Sequence, residues 1–394
     1  MQTMTRQGTG MRGVMILMAI LISYGSFYPF DFRWHALGMD DFLSFLFTAD
    51  QQTTRGDIIG NVALFLPYGF AGALAYQGRR DWLGSAFWIT LWGFVLAVAI
   101  QIVQFWIPER VAAMGDAWLN LAGIVLGLAA GRQVSHVAHR RMLKGDYGHL
   151  HLSIPTIVIL FWLAYRWFPF VPTLDLQNIK DAVKPLLKYP SFEPIGIFHD
   201  AMAWLACFHL VKRTPARHLS GMSLSLLALG VLVVEPIFRH NHLSLANALG
   251  LGCAIACLPF LGRRSAPAFL CLGLFVSLAV SGMAPFELAR PLNEFHFMPF
   301  AGFLEGSMWI NSQSLMEKCF FYGALIFLLH DAGSRWRLAG VTVAFWLALI
   351  EIGQVFIAER TAEITDPLLA VLIAFAMGLS SGHDREQASR LRGL

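Results

Sequence analysis

Long apolar runs constrain this chain most, because they recur along its whole length. Each run is roughly 17–25 residues, the length that an α-helix needs to cross the hydrocarbon core of a bilayer. Lipid offers no partner for an unpaired backbone group, and the alternation of a barrel strand is absent, so helices are the expected form. Hydrophobic residues make up 56% of the chain and charged residues 14%. We therefore predict an all-α integral membrane protein.

The apolar runs predict about twelve membrane spans, and the loops between them set the orientation. The spans are 12–29, 57–76, 84–107, 116–132, 151–168, 195–211, 219–238, 242–261, 266–284, 314–330, 338–357 and 364–381. Alternate loops are basic, with Arg79 and Arg80, Arg140 and Arg141, Lys212 and Arg213, Arg263 and Arg264, and Arg335 and Arg337. Basic loops remain in the cytoplasm, so both termini are expected there.

One helical hairpin occurs three times, with its corner on the predicted outer side. The first version, Ile100–Gly131, carries Gln101, Gln104, Arg110, Asp116 and Asn120. An offset of 250 residues leads to Glu351, Gln354, Arg360 and Asp366, and a fainter version holds Glu235, Arg239 and Asn247. We predict three repeated four-helix units, at 1–135, 150–262 (degenerate) and 266–381, with a cytoplasmic tail at 382–394.

The long outer connections recur as well. Each begins with a proline and a phenylalanine, in Tyr28–Phe30, Phe168–Phe170 and Ala284–Phe286. Because proline removes a backbone donor, each is expected to end its helix. The apolar patches Phe42–Phe47 and Phe295–Phe303 are too short to span, which favours interfacial or re-entrant elements.

Polar residues at membrane depth are costly and are candidates for function. We expect a ligand-binding site or polar core formed by Asp57, Asn61, Gln101, Gln104, Arg110, Asp116, Asn120, Glu235, Arg239, Glu351, Gln354, Arg360 and Asp366. Arginine suits phosphate or carboxylate, whereas asparagine and glutamine suit sugar hydroxyls or amides. The structural alternatives are a corner ion pair between Arg110 and Asp116, helix caps, and hydrogen bonds between helices. Gly123, Gly127 and Gly131 are expected to form a close-packing face, while Arg166 could extend outward or contact a lipid phosphate.

The first repeat resembles the VanZ-like family, named for a teicoplanin-resistance protein. The resemblance rests on Arg55–Phe70 and the following corner, through Asp57, Asn61, Phe65, Pro67, Gly69, Gln104, Arg110, Asp116, Asn120 and Gly123. Gln101 departs from it, since many relatives carry glutamate there. The resemblance implies a multi-pass protein of the bacterial cytoplasmic membrane that is linked to glycopeptide or lipoglycopeptide tolerance. It implies no established reaction.

These features favour a protein that binds or handles an envelope lipid, glycolipid or lipid-linked glycan from the outer face. A transporter or flippase for such a substrate, and a membrane enzyme acting on lipid-linked phosphate or glycan, are the alternatives. The sequence has no nucleophile triad and no phosphate-cradling glycine loop, so an enzyme is less favoured. We expect no cofactor and no metal, because Cys253 and Cys257 lack a nearby histidine or carboxylate set. Membrane lipids are the expected partners, nucleic acid is not, and no pattern indicates an oligomeric state.

Overall fold

The computed structural model of the chain describes residues 2–47, 55–76, 81–143, 153–173, 175–188, 190–239, 241–305 and 308–391. Helices dominate these residues. They are α1 (Gln2–Phe27), α2 (Met39–Phe47), α3 (Arg55–Ala75), α4 (Trp82–Gln104), α5 (Met114–Leu143), α6 (Ile154–Trp167), α7 (Leu176–Lys188), α8 (Pro194–Lys212), α9 (Gly221–Val234), α10 (Leu245–Ala256), α11 (Ala266–Met283), α12 (Ala301–Glu305), α13 (Met308–Asp331), α14 (Trp336–Gln354) and α15 (Thr365–Leu391). Three 3₁₀ turns cover Pro215–His218, Glu235–Ile237 and Leu258–Gly262.

A helix lies at each predicted span, and the apolar helices make this an all-α membrane protein in contact with lipid. Among the described residues, seven helices are long and apolar enough to cross a membrane: Gly10–Phe27, Gly56–Ala75, Trp82–Gln104, Met114–His136, Pro194–Lys212, Ala266–Met283 and Trp336–Gln354. Four apolar helices are shorter: Ile154–Trp167, Gly221–Ile237, Leu245–Ala256 and Thr365–Ser380. Twelve spans and their orientation therefore stay predictions, and Arg79 and Arg80 lie outside the described residues.

The chain forms two compact units. The first comprises Met1–His151 with Leu379–Leu394, and the second comprises Leu152–Gly378. The first compact unit contains the first predicted repeat. The second contains the second predicted repeat and most of the third, and the division into three repeats stays a prediction.

Small residues bring α3 and α5 together in the first compact unit. A Cβ atom added to Gly123 would collide with the carbonyl oxygen of Val62, and one added to Gly127 would collide with that of Leu66. A Cβ on Gly131 would lie 2.6 Å from the Cβ of Ala73. The expected close-packing face is therefore confirmed, because these helix backbones approach too closely for any larger side chain.

Helix α8 lies at the centre of the second compact unit. Its residues 203–210 are all buried, as expected for a helix that is apolar on every side. Trp204 on this helix packs edge-on against Trp162 of α6, with ring centroids 4.6 Å apart, and Trp162 also faces Phe320 of α13. These aromatic rings lie beneath the most polar part of the second compact unit.

The same turn follows α1, α6 and α11. Each of these helices ends two residues before its proline, as predicted. The following residues, Phe30, Phe170 and Phe286, have positive φ angles of 66°, 61° and 66°. Each donates its backbone N–H to the last residue of the preceding helix, at 2.8, 2.8 and 2.9 Å.

Each long connection then pairs with the corner of its own repeat. The backbone N–H of Arg33 donates to Trp106, that of Thr173 to Ile237, and that of Ala289 to Phe356. Short elements occupy the connections, namely α2, α7 and α12, together with strand β1 (Phe295–His296), which pairs in parallel with β2 (Ala362–Glu363). The apolar patches therefore contain short helices, and their interfacial position stays a prediction.

Candidate functional site

The first corner is held by hydrogen bonds to the end of α1. Arg110 donates from Nε to the carbonyl oxygen of Tyr28 at 3.1 Å and from Nη2 to that of Gly25 at 3.4 Å. Gln104 donates to the carbonyl oxygen of Ser26 at 2.9 Å. Burial lowers the pKa of the Arg110 guanidinium from its ordinary value, but arginine stays protonated at neutral pH. These side chains satisfy carbonyl groups that the helix end leaves without partners.

The third repeat uses the same arrangement at the end of α11. Arg360 donates from Nε to the carbonyl oxygen of Ala284 at 2.6 Å and from Nη2 to that of Ser281 at 2.8 Å. Gln354 donates to the carbonyl oxygen of Gly282 at 3.0 Å. Both corner arginines therefore direct two donors at their own chain, in the geometry that we had expected to serve a phosphate.

Gln101 and Glu351 have one role in common despite their different charges. The Oε1 atom of Gln101 accepts a hydrogen bond from the backbone N–H of Ala113 at 3.0 Å. The Oε2 atom of Glu351 accepts one from the backbone N–H of Glu363 at 2.8 Å. Each side chain therefore fastens the corner that follows its helix, and this role needs an oxygen atom but no charge.

Among the remaining polar residues of the first repeat, Asn61 and Asp116 link α3 to α5. Asn61 donates to Oδ1 of Asp116 at 2.9 Å. Asn120 is buried, and its Oδ1 has no hydrogen-bond partner among the described residues. Asp57 lies on an exposed turn at the start of α3. The Asn61–Asp116 bond matches the expected interhelical contact.

In the third repeat, Asp366 is buried between two donors. Lys318 contacts its Oδ1 at 2.5 Å and the hydroxyl of Tyr322 donates to its Oδ2 at 2.6 Å. Both donors come from α13, so this cluster joins α13 to the start of α15.

The second compact unit contains a polar cavity of about 270 Å³. Its walls come from the end of α6, from α8 and α13, and from the corner between α9 and α10. The lining residues are Tyr165, Arg166, Asp200, Glu235, Asn241, His242, Ser244, Asn247 and Gln313. Glu235 was a predicted site residue and Asn247 belongs to the same predicted hairpin, and the structure brings the two together here. Arg239, from the same corner, has an exposed side chain, and its backbone N–H donates to Val171.

A buried ionic network forms one wall of this cavity. Nη2 of Arg166 lies 3.1 Å from Oε2 of Glu235, and Nη1 lies 3.5 Å from Oδ1 of Asp200. Asn247 donates to Oε2 of Glu235 at 3.4 Å and accepts from Nε1 of Trp204 at 2.9 Å. The Arg166 side chain is only 5% exposed. It therefore does not extend outward, contrary to one of our expectations, because two carboxylates hold it inside.

The network leaves one hydrogen-bond donor without a partner among the described residues and one carboxylate partly exposed. One guanidinium faces two carboxyl groups, so the wall has more acidic side chains than basic ones. The Nε atom of Arg166 is buried without a hydrogen-bond partner among the described residues. The Asp200 side chain is 18% exposed. A group that both donates and accepts hydrogen bonds, such as a hydroxyl, would complement this wall.

Sequence reasoning missed the central place of Asp200, because it lies beside His199 near a helix end and looked like a boundary residue. The sequence feature that could have identified the site is a carboxylate and an arginine, Asp200 and Arg166, at membrane depth in neighbouring spans. Pairing them requires the packing of α6 against α8. Among the described residues, no group of three histidine, cysteine or acidic side chains could hold a metal ion.

Comparison with known proteins bears on the first repeat. The VanZ/LLP1 family model matches residues 13–134. No curated protein and no solved structure matches the chain. The match confirms the VanZ-like resemblance, and it covers the α1–α5 segment with the Gln104–Arg110 corner. The Arg166 cavity lies outside the matched residues.

Proposed function

We propose that this membrane protein, VanZ-like over its first repeat, binds the polar head of an envelope lipid, glycolipid or lipid-linked glycan from the outer face. The Arg166 cavity is the proposed site, formed by Arg166, Asp200, Glu235, Asn241 and Asn247. Binding, rather than a reaction, is the proposed activity. The family resemblance suggests that binding contributes to glycopeptide or lipoglycopeptide tolerance.

One observation supports this proposal above the others: a polar cavity with a buried ionic wall in a largely apolar helical unit. Burying the charged groups of Arg166, Asp200 and Glu235 costs free energy unless they are paired. Here one guanidinium is shared by two carboxyl groups, the Nε donor of Arg166 has no partner among the described residues, and Asp200 stays partly exposed. Burying these charged residues costs more free energy than the apolar packing that would suffice for a purely structural corner. A ligand that completes the network would account for it.

The cavity favours a neutral or amine-bearing polar head over a phosphate. A phosphate would face two acidic side chains and a guanidinium already engaged by them, whereas hydroxyl or ammonium donors would approach the partly exposed Asp200 carboxylate. The volume of about 270 Å³ is slightly below the range of roughly 300–1,000 Å³ that is typical of drug-sized ligands. One sugar ring or a head of similar size suits this space, and the rest of a larger glycan would extend outside.

We assign the other predicted residues to the architecture of the protein and not to the binding site. In this proposal the three repeats, the twelve spans and the cytoplasmic termini of a bacterial inner-membrane protein are retained. The recurrent Pro-Phe turn and the two matched arginine corners support the repeats. Alternate basic loops support the orientation.

The test combines binding and sensitivity. The protein would be purified with its bound lipids and analysed by native mass spectrometry, and the same variants would complement a strain that lacks it. Asp200→Asn keeps the side-chain shape and removes the carboxylate charge from the cavity. Asp175→Asn is the matched control, because Asp175 is exposed and does not line the cavity.

We expect a glycolipid or lipid-linked glycan on the wild-type protein and on the Asp175→Asn variant, with much less on Asp200→Asn at equal protein abundance. Lipoglycopeptide sensitivity should change in parallel. A wild-type protein that carries no such molecule, or an Asp200→Asn variant that carries it equally well, would refute the proposal.

A further inference from the structure

Helix α7 has an exposed face that the proposed site does not use. At 100° per residue, Leu176, Leu187, Lys180, Lys184 and Lys188 fall within one arc of about 120°. All five are exposed, and the two leucines are 71% and 74% exposed. The helix thus presents a row of three lysines with a leucine edge beside it.

The opposite face fixes the orientation of α7. Ala182 is 1% exposed, and its carbonyl oxygen accepts a hydrogen bond from the N–H of Leu243 at 2.9 Å. Asn178 donates to the carbonyl oxygen of Pro236 at 3.1 Å. Because these contacts hold the helix against the α9–α10 corner, the lysine face points away from the protein.

The position of α7 in the chain places it at a membrane boundary. It ends at Lys188, and the membrane-length helix Pro194–Lys212 begins six residues later. A six-residue connection reaches at most about 20 Å. The lysine face therefore lies close to the level of the lipid head groups.

Charge and apolar exposure on this face fit an anionic lipid. We propose that the face formed by Leu176, Lys180, Lys184, Leu187 and Lys188 binds the phosphate group of an anionic lipid in the adjoining leaflet. The lysines contact the phosphate while the leucines lie at the boundary of the acyl chains, as in interfacial helices. The α7 face carries the three positive charges of its lysines. The negative charge of α7 is that of Asp181, which accepts a hydrogen bond from Gln177.

This inference is independent of the Arg166 cavity, because none of the five residues lines it. The two features are nonetheless near each other in the fold. Pro236 and Leu243, which hold α7, bracket the segment that supplies Asn241 and His242 to the cavity wall. A lipid bound to α7 would therefore lie beside the corner that carries the cavity.

The experiment uses the full-length protein in neutral detergent. Native mass spectrometry would measure binding of short-chain phosphatidylglycerol, with short-chain phosphatidylcholine as the zwitterionic comparison. The variant Lys180→Gln, Lys184→Gln and Lys188→Gln removes the charges. The matched control replaces the same three lysines with arginine, which keeps the charges at the same positions. A single Lys184→Gln variant provides a milder change should the triple variant unfold.

We expect phosphatidylglycerol to bind about a hundredfold more weakly to the triple glutamine variant, with no loss for the arginine control and a smaller loss for Lys184→Gln. Leu187→Ser should weaken binding of the lipid but not of glycerophosphoglycerol, which has no acyl chains. Asp200→Asn should leave phosphatidylglycerol binding unchanged even if the cavity ligand is lost. Equal binding to wild-type and glutamine variants would overturn the inference. So would displacement by an equal concentration of inorganic phosphate, since the face would then be a site for a soluble anion.

Discussion

Arg166 and Glu235 form a buried ion pair, with Nη2 and Oε2 3.1 Å apart, across 69 positions of sequence. The pair joins the end of α6 to the 3₁₀ turn that follows α9. Asn247 contacts the same carboxylate oxygen from α10. The Glu235 carboxylate therefore connects α6, the 3₁₀ turn and α10. All three elements belong to the second predicted repeat, whose hairpin pattern is the faintest of the three.

Removing Glu235 alone should destabilise the protein strongly. Glu235→Leu leaves Arg166 buried with only the more distant Asp200, and breaking a buried pair costs about 3–5 kcal/mol. We expect a lower midpoint of thermal unfolding in detergent and lower abundance in cells. Replacing both partners, with Arg166→Met added to Glu235→Leu, should recover part of the loss. If the double variant is less stable than the single one, the pair is not the main contribution of Glu235.

The two corner arginines should be sensitive to a substitution that preserves charge. Arg110→Lys keeps the positive charge but cannot direct Nε and Nη2 at the carbonyl groups of Tyr28 and Gly25 together. We expect a loss of about 1 kcal/mol in stability, measured by thermal unfolding beside protein abundance. Arg239→Lys is the control, since the Arg239 side chain is exposed and should tolerate the change. Unchanged abundance and stability of Arg110→Lys would show that the carbonyl contacts contribute little.

The sequence predicted the elements of this fold better than its site. Most helices begin and end within about five residues of the predicted spans, because apolar runs and prolines act locally. The exceptions include α1, which begins ten residues before its predicted span, and α5 and α15, which end eleven and ten residues beyond theirs. The close approach at Gly123 and Gly127 was also predicted, since small residues at that spacing have few other uses between apolar helices. The predicted interfacial patch Phe42–Phe47 is a short helix, α2.

Most of the polar contacts could not be predicted, because they depend on which helices pack together. Arg110 and Arg360 have the motif of a ligand grip, yet their partners are backbone carbonyl groups 76–85 residues away in the chain. Asp200 and Arg166 come together only because α6 packs on α8. A carbonyl group carries no residue identity, so no sequence pattern identifies it as a partner.

Substituting a packed glycine should separate α3 from α5. A methyl group on Gly123 would collide with the Val62 carbonyl oxygen, which belongs to the helix backbone and cannot rotate away. Gly123→Ala should therefore destabilise the first compact unit by about 1–3 kcal/mol. Gly115→Ala is the matched control on the same helix, because a Cβ there would have no neighbouring atom within 4 Å. Equal thermal unfolding of the two variants would contradict the close contact.

The loss of stability at low pH should depend on Asp331, at the end of α13. Burial raises the pKa of this carboxyl group, but the hydrogen bonds from His209 and Arg213, at 2.9 and 2.6 Å, outweigh burial, and the net pKa is lowered. A carboxyl group whose folded-state pKa is lowered stabilises the fold above its unfolded pKa, and this contribution disappears as the pH falls through the folded value. We therefore expect the midpoint of thermal unfolding to fall as the pH drops below about 4, the ordinary aspartate value. Asp331→Asn should lower stability at neutral pH and flatten this part of the profile, whereas Asp175→Asn, at an exposed position, should leave the profile unchanged. A wild-type profile that Asp331→Asn does not alter would show that the His209–Asp331–Arg213 contacts do not stabilise the protein.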